Sequence, residues 1–146
     1  MLKPGNRTLA TFYAVLAVAA STQAAGATWD GIIHLSQPAD SFFSYPHLVV
    51  YCGAALGIGA VLAALFTLAN TTLEKEKLIG LKFGCLGAAL LLIGGPFDFW
   101  WHRTLTQESF LILPFLSPPH MIIEAGIGFF MFTPLCGFYV LRQSRR

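Results

Sequence analysis

Four long apolar stretches limit what this chain can become. They run roughly from Leu9 to Trp29, Pro46 to Leu68, Leu78 to Trp101 and Pro119 to Leu141. Each holds about 20 to 24 residues, which as a helix measures about 30 to 36 Å, enough to cross a hydrocarbon core of about 30 Å. The 146 residues are 55% hydrophobic and 11% charged, with a mean hydropathy of +0.66, which excludes an ordinary soluble domain. The expected fold is an all-α membrane protein with four transmembrane helices. Glycine and alanine recur inside the runs, as in Gly53-Ala54-Ala55-Leu56-Gly57-Ile58-Gly59-Ala60 and Gly84-Cys85-Leu86-Gly87-Ala88-Ala89. Small residues let such helices pack closely.

A short polar segment, residues 70–77, divides the chain into two helical hairpins, 1–69 and 78–146. Both hairpins start from the same side, so they are expected to be parallel repeats related by an axis along the membrane normal. The termini and the 70–77 loop share one side and carry Lys3, Arg7, Lys75, Lys77, Arg142, Arg145 and Arg146, with Lys82 close by, whereas the other side has Arg103 alone. The positive-inside rule then places both termini in the cytoplasm of a multi-pass cell-membrane protein. The run Glu74-Lys75-Glu76-Lys77 reads as a solvated loop. The first span, with Lys3 and Arg7 ahead of it and small residues from Ser21 to Ala27, also has the form of a secretory signal. Cleavage near Ala25 would detach the helix expected to deliver Asp30 and His34, so the span is read as retained. Cys52, Cys85 and Cys136 are odd in number and lie within spans, which gives neither a disulfide framework nor a CxxC metal motif.

One pattern occurs twice. Trp29-Asp30-Gly31-Ile32-Ile33-His34 is followed by Phe43-Ser44-Tyr45-Pro46-His47, and Phe97-Asp98-Phe99-Trp100-Trp101-His102 is followed by Leu116-Ser117-Pro118-Pro119-His120. The two copies hold all four histidines and two of the seven acidic residues. An Asp and a His four residues apart lie on one helix face, and a second His from the next segment completes a mixed carboxylate and imidazole set, which suits copper, zinc or iron better than calcium or magnesium. Two metal sites are therefore expected at one depth near the outer face: Asp30, His34 and His47, and Asp98, His102 and His120. A lone interfacial histidine usually needs no metal, and a plain Asp–His hydrogen bond is the simpler reading of each pair taken singly. Recurrence favours the metal. Glu124, one turn from His120, is a candidate for a further ligand, a partner that orients His120, or a proton carrier. The Phe97, Phe99, Trp100 and Trp101 cluster reads first as an interfacial belt. No phosphate-binding glycine loop, nucleophile motif or basic nucleic-acid surface is present.

At these residues the chain resembles the C subunit of the copper membrane monooxygenases, the ammonia and particulate methane monooxygenases. In that family an Asp, a His four residues on and a second His thirteen further bind copper, and Asp30, His34 and His47 reproduce that spacing. The stretch Asp40-Ser41-Phe42-Phe43-Ser44-Tyr45-Pro46-His47 resembles the family's approach to its last ligand. Ser117-Pro118-Pro119-His120-Met121-Ile122-Ile123-Glu124 looks like its proline, histidine and glutamate stretch. The departures are Asp98, where the family commonly has Asn, a wider spacing between His102 and His120, and a shorter chain. The resemblance implies a copper-binding subunit of a complex that oxidises ammonia or a small hydrocarbon with dioxygen. Other membrane subunits and lipid are the expected partners, and, since the sequence has no electron-transfer motif, a quinol or another protein is the expected reductant. Two other functions compete: an accessory or assembly subunit with structural or empty metal sites, and a b-haem electron carrier using the histidines as axial ligands.

Overall fold

A computed structural model describes residues 4–36, 42–69, 75–104 and 117–144, without the side chains of residues 4, 34–36 and 102. Four helices follow one another: α1 (Pro4–Ser36), α2 (Tyr45–Leu68), α3 (Ile79–Thr104) and α4 (Pro118–Gln143), with a 3-10 turn at Lys75–Leu78 leading into α3. Each is long and apolar enough to cross a membrane, and no strand occurs among the described residues. Prolines open α2 and α4, where the missing N–H is one the first turn would leave unbonded anyway. Helix α1 continues past its apolar run to Ser36, so Asp30 rides on the same rod as the span.

Helices α1 and α2 pack as one pair and α3 and α4 as another, and contacts between α1 and α4 and between α2 and α3 close the bundle. On α1 the inward stripe is Leu9, Tyr13, Leu16, Ala20, Gln23 and Asp30, all buried at the spacing of one helix face. The outward surface is apolar as well, with Val18, Leu62, Phe66, Ile93, Leu135 and Tyr139 exposed. In water that surface would be one large sticky patch; in a bilayer it meets acyl chains.

Glycines set how closely the rods approach. A Cβ at Gly53 would lie 2.6 Å from Gln23 Cγ, 2.8 Å from the Gln23 backbone nitrogen and 2.9 Å from the Ala19 carbonyl oxygen. One at Gly80 would lie 2.6 Å from the Thr133 carbonyl oxygen. Two of the neighbours at Gly53 and the nearest at Gly80 are main-chain atoms, which cannot swing aside.

At the end of the bundle opposite the repeated motif, the Tyr13 hydroxyl donates to the Lys77 carbonyl at 2.8 Å. That bond ties the turn before α3 to α1. Lys77 is buried, where a solvated run was expected; a lysine stem can lie along apolar surface while its amine reaches water. Tyr13→Phe is expected to lower stability by about 1 kcal/mol, the usual net value of such a hydrogen bond. Thermal unfolding in detergent, compared with the parent chain, measures it.

Candidate metal centre

The repeated motif assembles at the end of the bundle where α1 and α3 finish and α2 and α4 begin. Asp30 comes from α1 and Asp98 from α3, while His47 and His120 each stand third in their helices, directly after proline. Ser44 and Ser117, both extended, cap those two helices. Each proline fixes the first turn, and with it the direction in which the imidazole leaves.

The four side chains line one cavity of about 50 Å³, together with Tyr51 and Glu124 and an apolar wall of Ala27, Val50, Ile123 and Ile127. His47 Nε2 lies 3.0 Å from Asp30 Oδ1, and His120 Nε2 lies 3.8 Å from Asp98 Oδ1. One ligand atom each from Asp30, His47 and His120 falls within 4.8 Å of the others. Asp30 and Asp98 are 7% and 2% exposed, so both carboxylates are largely shielded from water, a setting in which a charge is costly unless compensated.

The far ring nitrogens show how the imidazoles are set. His47 Nδ1 is 3.3 Å from the Phe42 carbonyl oxygen, to which it donates when that nitrogen carries the proton. A neutral His47 then presents an Nε2 lone pair to a carboxylate oxygen 3.0 Å away. In that tautomer a second proton or a metal ion between the two atoms would satisfy both. His120 Nδ1 is 2.6 Å from Ser117 Oγ, which also accepts from the His120 backbone N–H at 3.4 Å. In both halves the nitrogen away from the cavity is held and Nε2 is turned inward, the arrangement that orients histidine ligands in metal sites. Phe42 is itself anchored: its carbonyl accepts a second bond from the Tyr51 hydroxyl at 3.1 Å, and its ring meets Phe99 of α3 edge-on at 5.0 Å.

This donor set fits a transition-metal ion. Ligand atoms about 2.0–2.2 Å from one ion lie about 3.3–3.6 Å apart in a tetrahedron and about 4.4 Å apart when opposite, so a group within 4.8 Å would close by about 1 Å around an ion. Two carboxylates and two neutral imidazoles carry two negative charges, which one divalent cation balances.

The structure therefore brings Asp30, His47, Asp98 and His120 to one place, joining residues assigned from sequence to two different sites. The side chains of His34 and His102 lie outside the described residues. Glu124 borders the cavity but is exposed on the outer flank of α4. Sequence reasoning passed over Tyr51, Ser117 and the Phe42 carbonyl. Tyr51 sits one helical turn after His47 and Ser117 three residues before His120, spacings at which side chains meet the histidine or its cap.

No family model, curated protein or solved structure matches the chain.

Proposed function

We propose that this chain is a copper-binding integral-membrane subunit of a monooxygenase complex that oxidises ammonia or a small hydrocarbon with dioxygen. We propose further that it holds a single metal ion between its two halves. The observation that carries this reading is the meeting of two inward-turned imidazoles and two buried carboxylates, one from each helix, in one cavity. Nitrogen and oxygen donors of this kind suit copper, iron and zinc, and copper leads the divalent series in affinity. The Asp30, His34 and His47 spacing, with the Ser117 to Glu124 stretch, supports copper over the other two and supplies the oxygenase part of the proposal.

Bound copper would supply dioxygen chemistry. The chain's own residues keep water scarce through Ala27, Val50, Ile123 and Ile127, and orient His47 and His120 through Phe42 and Ser117. Reductant comes from a quinol or another protein, since the sequence has no electron-transfer motif. Metal analysis of the protein purified with its membrane complex tests the reading. Copper at about one ion per chain, with dioxygen-dependent oxidation of ammonia or a hydrocarbon, is expected. An intact, folded complex without copper would remove it, and copper without oxidation would reduce the chain to an assembly or storage role.

The lysine and arginine bias supports an orientation with the termini and the Lys75–Leu78 turn in the cytoplasm and the metal centre at the outer face. A cysteine introduced at Lys75 is expected to react with a membrane-impermeant maleimide in inverted vesicles and not in intact cells. Labelling in intact cells alone would reverse the orientation.

A further inference from the structure

Glu124 is out of place on a helix that crosses a membrane. It sits six residues into α4, about 9 Å along the axis from Pro118, and it is exposed. Its neighbours outward on α4 include Met121, which is 54% exposed, and the helix surface beyond is apolar. Among the described residues Glu124 makes no side-chain hydrogen bond and no ion pair. A carboxylate in that setting is costly unless something pairs with it. Glu124 also borders the metal cavity, so whatever covers it closes one side of the centre.

A second copy in the same orientation lacks the means. Gly94 of α3 packs level with Ile123, since a Cβ there would lie 2.7 Å from Ile123 Cγ1. Arg103, nine residues further along α3, is therefore about 13 Å nearer the site end of the bundle than Glu124, and its guanidinium already sits over the Phe99 ring at 5.2 Å. Among the described residues the other lysines and arginines, Arg7, Lys75, Lys77, Lys82 and Arg142, belong to the opposite end. No described lysine or arginine of this chain stands at the depth of Glu124.

We propose that the flank of α4 around Glu124 is the docking surface for a transmembrane helix of a different polypeptide, one that brings a lysine or arginine to the depth of Glu124. The pairing neutralises the carboxylate, and the docked helix completes the wall of the cavity. Charge complementarity and depth select the occupant. The inference rests on the subunit part of the proposed function and not on its metal.

The test uses the full chain in the membranes of cells that naturally make it, with the photoreactive residue p-benzoylphenylalanine in place of Met121. Irradiation is expected to join Met121's position to a membrane-spanning segment of another protein that contains a lysine or arginine, identified by sequencing the linked peptide. Glu124→Arg, which sets like charges together, is expected to reduce that cross-link at least tenfold, while Glu124→Asp keeps most of it. Normal membrane insertion of both variants, checked by protease protection, shows that they are folded. A cross-link to a second copy, to residues 105–116 of the same chain or to lipid alone would overturn the proposal, as would a cross-link indifferent to Glu124→Arg. Copper content measured on the same samples separates the two readings: retained metal without a partner cross-link rejects the docking surface and leaves the metal centre standing.

Discussion

Replacing either His47 or His120 with alanine is expected to release the whole of the bound metal, not half of it. Each histidine comes from a different half of the chain, yet their Nε2 atoms face one cavity and share it with both carboxylates. Loss of an outer hydrogen-bonding partner commonly costs 10- to 100-fold in metal affinity, so loss of a ligand is expected to cost about 100-fold or more. Alanine also leaves a buried carboxylate facing the remaining site, which makes each deletion more damaging than its contact alone suggests. Titration of the purified protein with copper, against a competing chelator, measures the affinity. Two independent binding events in the parent chain, one of them untouched by His47→Ala, would separate the halves again.

The second large effect is expected at Gly53, well away from the ligands. Valine there would drive side-chain atoms into Gln23 and into the main chain of α1, whose nitrogen at Gln23 would lie 2.8 Å from the new Cβ. Backbone cannot yield as a side-chain tip can, so α1 and α2 must separate. Overpacking of this kind typically costs about 1–3 kcal/mol, and the rigid neighbours place Gly53→Val at the upper end. The same separation pulls Asp30 away from His47, two helical turns further on. Thermal unfolding in detergent and copper affinity should therefore fall together. A variant that unfolds earlier but keeps parental affinity would show that the α1–α2 crossing does not set the metal geometry. At Gly59, where an added Cβ meets nothing within 4 Å, the same substitution is expected to change neither.

The helices were legible because lipid-spanning segments announce themselves by length and apolarity, and because Pro46 and Pro119 mark where returning helices start. Asp30, His47, Asp98 and His120 were legible too, as ionisable groups repeated in a chain nearly without them. Their meeting in one cavity was not. Spacing along one helix places Asp30 and His34 on a shared face, and it places His47 and His120 at equivalent points of two hairpins. It says nothing of how the hairpins pack. That depends on contacts far from the motif, such as Phe130 of α4 lying against Gly57 of α2 and Gly87 of α3, which draw the two halves onto a common axis. Tyr51 was hidden for a related reason: its hydroxyl reaches the Phe42 carbonyl only because the chain turns back between α1 and α2. Lys77 departed from its expected exposure in a turn whose carbonyl accepts a long-range hydrogen bond from Tyr13, a contact no local pattern encodes.

The most direct test of a centre shared by both halves is pulsed electron paramagnetic resonance on the copper(II)-loaded protein, with metal content measured on the same sample. One copper per chain is expected, coordinated by imidazole nitrogens from both halves. The remote nitrogens should show the signature of hydrogen-bonded Nδ1, and the Ser117→Ala variant should perturb one of them only. Two coppers per chain, each coordinated within its own hairpin, would contradict the account.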